Sequence, residues 1–288
     1  MIRAYISAVR PRQWTKNLIL FAGIIFAHRF FEWEAVLRSI AGFVDFCLLS
    51  ASIYLLNDIK DIDSDRLHPL KRDRPIASGK IGISAAMIYF GVMAAAGIGL
   101  AVTIGGNYLN AAGAYFLMMI LYSYRLKHIV IVDMMVIAAG FVLRAAAGAA
   151  VVNVMISSWL LVCTTSLALF LVIAKRRHEV MLLGDNAKEH RKILAEYGDK
   201  FLDQMIAIVT ALTLISYILY TVDQTTIDKF NTHLLILTAP FVLYGIFRYL
   251  YLVYQKNMGG KPEEVLLNDP PLIAAIGLWV VTAMAIIY

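Results

Sequence analysis

Nine runs of mostly apolar residues dominate the sequence, at about 17–31, 35–56, 81–104, 108–124, 129–151, 157–174, 204–221, 233–253 and 271–288. A helix needs roughly 20 such residues, with about 17–25 as the working range, to cross the hydrocarbon core of a bilayer. Inside that core every backbone N–H and C=O must be satisfied within the protein, so runs of this length are helices. Composition agrees: 60% of the 288 residues are hydrophobic and 16% are charged, against about 45–50% and about 25% in soluble domains. A soluble globular domain is excluded. Disorder is excluded too, because 14 Phe and 15 Tyr stand among dense Leu, Ile and Val. The expectation is an all-α polytopic membrane protein of nine transmembrane helices, forming a single membrane-embedded domain over residues 1–288.

The charges follow the spans. The N-terminus and the stretches 57–80, 125–127, 175–203 and 254–270 alternate on one side and hold 21 Lys and Arg. The other side holds three, Arg29, Arg38 and Lys229. The positive-inside rule assigns the basic side to the cytoplasm. The net charge of +6 is therefore largely topology, and nucleic acid is not an expected partner. The basic N-terminus lacks a small-residue cleavage site before His28-Arg29, so it reads as an uncleaved first span and not as a signal peptide. Cys47 and Cys163 both lie in apolar runs, which implies no disulfide or metal framework. Pro270-Pro271 suits the first turn of the last helix.

Carboxylates also crowd the cytoplasmic side, and topology gives no reason for them. The segment Asn57-Asp58-Ile59-Lys60-Asp61-Ile62-Asp63-Ser64-Asp65 starts where the second span ends. On a continuing helix Asp58, Asp61 and Asp65 form one stripe, with Asn57 beside Asp61. Three like charges on one face are tolerated mainly around a cation. Mg²⁺ is commonly held by one or two carboxylates plus substrate phosphates. Asp61-x-Asp63-x-Asp65 resembles the start of a calcium-binding EF-hand, but Arg66 and Arg72 stand where that loop needs Gly and Glu. The stripe reads as a Mg²⁺–diphosphate site. The run that follows carries Lys71, Arg72 and Arg74 between prolines, and such cations suit a polyanionic substrate.

These residues carry a resemblance. NDIKDIDSD matches the NDxxDxxxD motif of the UbiA-type intramembrane prenyltransferase superfamily, and the nine spans with charged loops after the second and sixth match its architecture over nearly the whole chain. The resemblance implies a central cavity capped by cytoplasmic helical loops, with Asn57, Asp58, Asp61 and Asp65 at the metal and diphosphate. Most members carry a second acidic motif after the sixth span. Here that place holds Lys175, Arg176, Arg177, His178 and Glu179, and further on Arg191, with Asn186 and Glu189 patterned as a capping pair.

The basic second motif, RPRQWTKN near the start, and GGKPEEVLLNDPPL at 259–272 resemble the polyprenyl-phosphate phosphoribosyltransferase branch. That resemblance implies transfer of 5-phosphoribose from 5-phosphoribosyl 1-diphosphate to a decaprenyl-like phosphate. Diphosphate is released, and the product feeds cell-wall arabinan synthesis at a bacterial plasma membrane. The lipid phosphate is already anionic and needs no strong base, so the protein contributes positioning and charge stabilisation. Lys16, Lys71, Arg72, Arg74, Lys175, Arg176, Arg177 and Arg191 are candidate phosphate ligands, and His178 is a hydrogen-bond donor more readily than a base.

Ionisable residues inside spans default to functional hypotheses. Asp133 is near the cytoplasmic end of its span, where Arg125, Lys127 or substrate can meet it; Arg144, on the same face, is a structural partner for a polar group, and Asp45 is structural. Tyr122, Tyr124, Tyr251 and Tyr254 read as aromatic-belt anchors. Two other functions compete. A prenyltransferase using a prenyl diphosphate and an aromatic acceptor needs the missing second acidic motif. A transporter of phosphorylated solutes needs sites near the midplane on broken helices, whereas the charges here lie at the cytoplasmic edge. Self-association into a homo-oligomer is left open.

Overall fold

The computed structural model describes residues 2–69, 71–183, 196–260 and 262–288. Among them every regular element is helical. Thirteen α-helices follow in order: α1 (Ile2–Ala8), α2 (Ala22–Phe26), α3 (Trp33–Lys60), α4 (Ile62–Leu67), α5 (Ile83–Ile104), α6 (Gly106–Tyr124), α7 (Val132–Val151), α8 (Ser158–Leu183), α9 (Asp199–Val222), α10 (Gln224–Phe230), α11 (Ala239–Gln255), α12 (Pro262–Asn268) and α13 (Pro270–Ile287). Short 3₁₀ segments precede α2, α7 and α11.

Seven helices among the described residues are long and apolar enough to span a membrane: α3, α5, α7, α8, α9, α11 with its 3₁₀ lead-in, and α13. The other two expected spans take a different form. Residues 106–124 are a continuous helix, but Asn107, Asn110 and several tyrosines dilute its apolar character. The first run is not one α-helix. Arg10 precedes a proline and adopts a left-handed conformation, Pro11 starts an eleven-residue 3₁₀ stretch ending at Phe21, and only Ala22–Phe26 winds as α. A 3₁₀ helix rises about 2.0 Å per residue and an α-helix about 1.5 Å. These 16 residues therefore rise roughly 30 Å in all.

The chain divides into two compact units, one over residues 1–156 and one over the described residues from Ser157 onward. In the first, Leu20, Ile24, Phe46, Leu49, Tyr108, Tyr115 and Val151 form a buried core. Small residues let its backbones approach closely. A Cβ on Gly148 of α7 would stand 2.0 Å from the Leu20 carbonyl oxygen, and one on Gly23 of α2 would stand 2.1 Å from that of Gly148. Membrane helices associate through this kind of close packing, because lipid tails are as apolar as leucine. A smaller cluster of Ala8, Leu55, Ile76, Ile81 and Ala86 anchors the loop after α4.

In the second unit α8 packs on α9, and α11 on α13. Asp269 caps α13, accepting from the Leu272 N–H at 3.0 Å, while the Arg248 guanidinium donates to both of its oxygens at 3.1 and 2.9 Å. This is the helix start that Pro270-Pro271 signals.

Candidate active site

The carboxylate stripe sits where α3 ends. At 28 residues α3 is about 42 Å long, so it outruns a bilayer core of about 30 Å. The ladder does not stop at the helix boundary. Asp61 N–H donates to the Asn57 carbonyl at 2.9 Å and Asp65 N–H to the Asp61 carbonyl at 2.8 Å, which carries the stripe from α3 into α4. Asp58 and Asp65 are buried at 2% and 3% exposure, two turns apart on one face. One guanidinium nitrogen joins them: Arg74 Nη1 donates to Asp58 Oδ1 at 3.0 Å and to Asp65 Oδ2 at 2.6 Å. Arg10 also pairs with Asp58, and its guanidinium lies 5.0 Å from the centre of the Tyr54 ring. Asp61 turns to a different cation, the buried Lys127 of the turn before α7. Asn57 is half-buried beside them.

The expected trio thus separates into a pair on Arg74 and a third carboxylate on Lys127. Among the described residues no three His, Cys, Asp or Glu side chains gather to hold a metal alone. Mg²⁺ does not require three, being commonly held by one or two carboxylates with phosphates and water completing its shell. Asp58 and Asp65 already converge on a single positively charged atom, Arg74 Nη1. Their hard oxygens at that point fit the ion, and Arg74 would have to move aside for it.

Of the cations expected to meet phosphate, Arg74 is in the carboxylate cluster, Arg72 is exposed, and Lys71 and Lys16 are half-buried and engaged in further contacts. Arg125 is exposed on the turn that carries Lys127, and Asp133 is fully buried in the first turn of α7. Ile131, immediately before α7, has φ 68°, a left-handed conformation costing a β-branched residue about 1–3 kcal/mol. Arg144 is structural as expected. Its guanidinium donates to Asn17 Oδ1 at 2.7 Å, the Gly140 carbonyl at 2.9 Å and the Tyr115 hydroxyl at 2.8 Å. Asp45 likewise accepts from the buried Tyr108 hydroxyl at 2.6 Å.

The second cluster lies in the other unit. α8 continues nine residues beyond the expected end of its span, so Lys175, Arg176, Arg177, His178 and Glu179 occupy its last helical turns. Glu179 pairs with Arg176 and, at 4.0 Å, with Lys175. Arg177 pairs with Asp203 of α9 and lies 4.1 Å from the centre of the Tyr254 ring on α11, whose hydroxyl donates to Asp203 at 2.7 Å. Gly259 and Gly260 lie against His178, and a Cβ on Gly260 would be 2.6 Å from its Cδ2. Arg191, Asn186 and Glu189 lie outside the described residues.

Sequence reasoning missed Arg10, Asn17, Tyr115 and Asp203. Arg10 and Asn17 fall in RPRQWTKN, which was marked only as a motif. Tyr254, one of the four tyrosines near the interface, holds Arg177 and Asp203 together.

Helices that span a membrane, with an acidic cluster at the end of one span and a basic cluster at the end of another, define the class: an integral membrane transferase. The chain belongs to the UbiA prenyltransferase family, which matches residues 18–267. Two similar proteins are both decaprenyl-phosphate phosphoribosyltransferases. That of Mycolicibacterium smegmatis is 30% identical over 100% of this chain and 93% of its own length. That of Corynebacterium glutamicum is 30% identical over 98% of this chain and 86% of its own. The fold also matches a UbiA homolog from Archaeoglobus fulgidus solved with GPP and Mg²⁺, with a TM-score of 0.76, 18% identity and 99% coverage of both chains.

Proposed function

We propose that this protein transfers 5-phosphoribose from 5-phosphoribosyl 1-diphosphate to a polyprenyl phosphate, releasing diphosphate. The observation that carries the reading is the cationic end of α8, where Lys175, Arg176 and Arg177 stand in place of a second acidic motif. A donor with a 5-phosphate as well as a diphosphate, and an acceptor with a phosphate of its own, need more cations and fewer metal ions than a prenyl diphosphate does. The full-length similarity to decaprenyl-phosphate phosphoribosyltransferases supports it.

In this reading a lipid phosphate oxygen forms the new bond to ribose C1, and the C1–O bond to diphosphate breaks with its electron pair leaving on diphosphate. Both phosphates are anionic, so no proton need be moved by a strong base. Asp58 and Asp65, with Asp61 and Asn57 adjoining, would hold Mg²⁺, which supplies neutralisation of the leaving diphosphate. Arg74 and Lys71 are placed in sequence to follow the diphosphate once the carboxylates exchange partners. Lys175, Arg176 and Arg177 bind further phosphate oxygens as charge-assisted donors, and His178 donates a hydrogen bond. We assign the basic loops to the cytoplasmic face of a bacterial plasma membrane. The 3₁₀–α2 segment and α6 complete nine crossings, and the whole chain works as one transferase.

Diphosphate release by purified protein in detergent tests this, with 5-phosphoribosyl 1-diphosphate, Mg²⁺ and a polyprenyl phosphate supplied. Release that requires the lipid, and is lost on chelation and in Asp61→Ala, is expected. Turnover of a prenyl diphosphate with an aromatic acid instead would overturn it.

A further inference from the structure

The basic end of α8 is held in two ways. Arg176 and Arg177 are held by charge, through Glu179 and Asp203. His178 is held by shape. Among the described residues its imidazole has no hydrogen-bond partner, and bare backbone packs against it, that of Gly259 and Gly260 between α11 and α12.

Local features deliver that turn. Asn257 takes a left-handed φ of 52° after the end of α11, and the Met258 N–H donates to the Leu252 carbonyl at 3.0 Å. The chain therefore folds back before Pro262 starts α12. A Cβ on Gly259, which is buried, would stand 3.1 Å from His178 Cβ, 3.2 Å from the Ala174 carbonyl oxygen and 3.4 Å from Val253 Cγ1. On Gly260 it would stand 2.6 Å from Cδ2 and 2.7 Å from Nε2 of the imidazole. Neither glycine has a left-handed φ, so the conformational freedom of glycine is not what the turn requires. What excludes a side chain from both positions is the room that His178 takes.

The contact covers one edge of the ring, Cδ2–Nε2. The two ring nitrogens are distinct groups, and the one away from Gly260 is Nδ1. We propose that Gly260, with Gly259, is a positioning residue: its bare backbone fixes the His178 ring at the end of α8, so that Nδ1–H and not Nε2–H donates to a substrate phosphate. The inference rests on the reading of the chain as a phosphoribosyltransferase and deepens it. Gly260 meets the far end of a side chain and not backbone, so a methyl added there displaces the ring before it disturbs the fold.

The test compares variants of the full-length protein in detergent by diphosphate release and by thermal melts. Gly260→Ala is expected to lower kcat/KM for 5-phosphoribosyl 1-diphosphate about tenfold or more, since misplacing a binding group by about 1 Å can cost about 100-fold. Its melting temperature should stay within about 2 °C of the parent's. His178→Asn puts an amide nitrogen near the position of Nδ1 and should keep activity within about threefold, whereas His178→Gln puts it near Nε2 and should lose about tenfold or more. The asparagine side chain is too short to meet Gly260. His178→Asn/Gly260→Ala should therefore turn over like His178→Asn and faster than Gly260→Ala alone. Rescue of activity at a constant melting temperature is a coupling that a merely structural turn would not show. Full activity or a marked fall in melting temperature in Gly260→Ala would overturn this inference alone. So would additive losses in the double variant, or His178→Gln outperforming His178→Asn. No diphosphate release from 5-phosphoribosyl 1-diphosphate by the unaltered protein would overturn the transferase reading, and this inference with it.

Discussion

Arg74→Ala isolates the tension in the carboxylate cluster. Arg74 joins two buried acids, and its removal leaves Asp58 with Arg10 but takes the guanidinium from Asp65, which is 3% exposed. Breaking a buried pair by removing one partner costs about 3–5 kcal/mol. Arg74 is itself 28% exposed and water screens part of that, so the expected loss is roughly 2–3 kcal/mol. For a unit of this size each kcal/mol moves the melting temperature by about 2–4 °C, which gives a drop of roughly 4–12 °C in chelator. Mg²⁺ should reverse most of it. An ion at a hundred times its Kd stabilises by about 2.7 kcal/mol; in the variant Asp65 is open to it and Asp58 keeps only Arg10, whereas in the parent Arg74 holds both. Thermal melts followed by tryptophan fluorescence, with Mg²⁺ or chelator, read both effects. Arg74→Lys should fall between, since a point charge bridges two carboxylates less well than a planar fork. An equal drop with and without Mg²⁺, or no drop, would refute the view that the guanidinium and the metal compete for Asp58 and Asp65.

Two further outcomes follow from packing and from charge. Gly148→Ala places a Cβ 2.0 Å from the Leu20 carbonyl oxygen, where backbone must shift; a loss of about 3 kcal/mol is expected, while Gly113→Ala, with open space around it, should be neutral or stabilising in the same melts. The Arg248 guanidinium beside Asp269 holds that carboxyl below its ordinary value. A carboxyl lowered in the folded state stabilises fully above its unfolded value of about 3.9 and loses that contribution as pH falls through the lower folded value. The difference in melting temperature between the parent and Asp269→Asn should therefore be constant from pH 5 to 7 and shrink below about pH 4; a constant difference down to pH 2.5 would contradict the pairing.

Helix positions were legible because hydrocarbon thickness fixes helix length: the ends of α5, α6, α7 and α13 fall within three residues of expectation, and α5, α7 and α13 are long and apolar enough to span. The form of the first apolar run was not, because apolar content does not distinguish a 3₁₀ winding from an α winding; only the Arg10-Pro11 step hinted at an unusual entry. The acidic stripe was legible from the spacing of Asp58, Asp61 and Asp65. Its division into a pair on Arg74 and a single acid on Lys127 was not, since the cations come from 9 and 66 residues away. Arg144 is the intermediate case. Its structural role could be anticipated from its depth, but Asn17 and Tyr115 are partners 127 and 29 residues distant, and no local pattern announces them.

The way the cations are deployed bears on how such a protein stays folded without substrate. A buried carboxylate at a membrane edge has little water to solvate it, so Asp58 and Asp65 need positive charge whether or not a metal is bound. Arg10 and Arg74 provide it, both reaching the cluster from neighbouring loops. The α8 cluster shows the same arrangement with the signs exchanged. Arg176 leans on Glu179 and Arg177 on Asp203, so each of these two cations has an internal anion. The three acids of the carboxylate cluster are thus matched by Arg10, Arg74 and Lys127, whereas Lys175, Arg176 and Arg177 face only Glu179 and Asp203 and leave the end of α8 net positive.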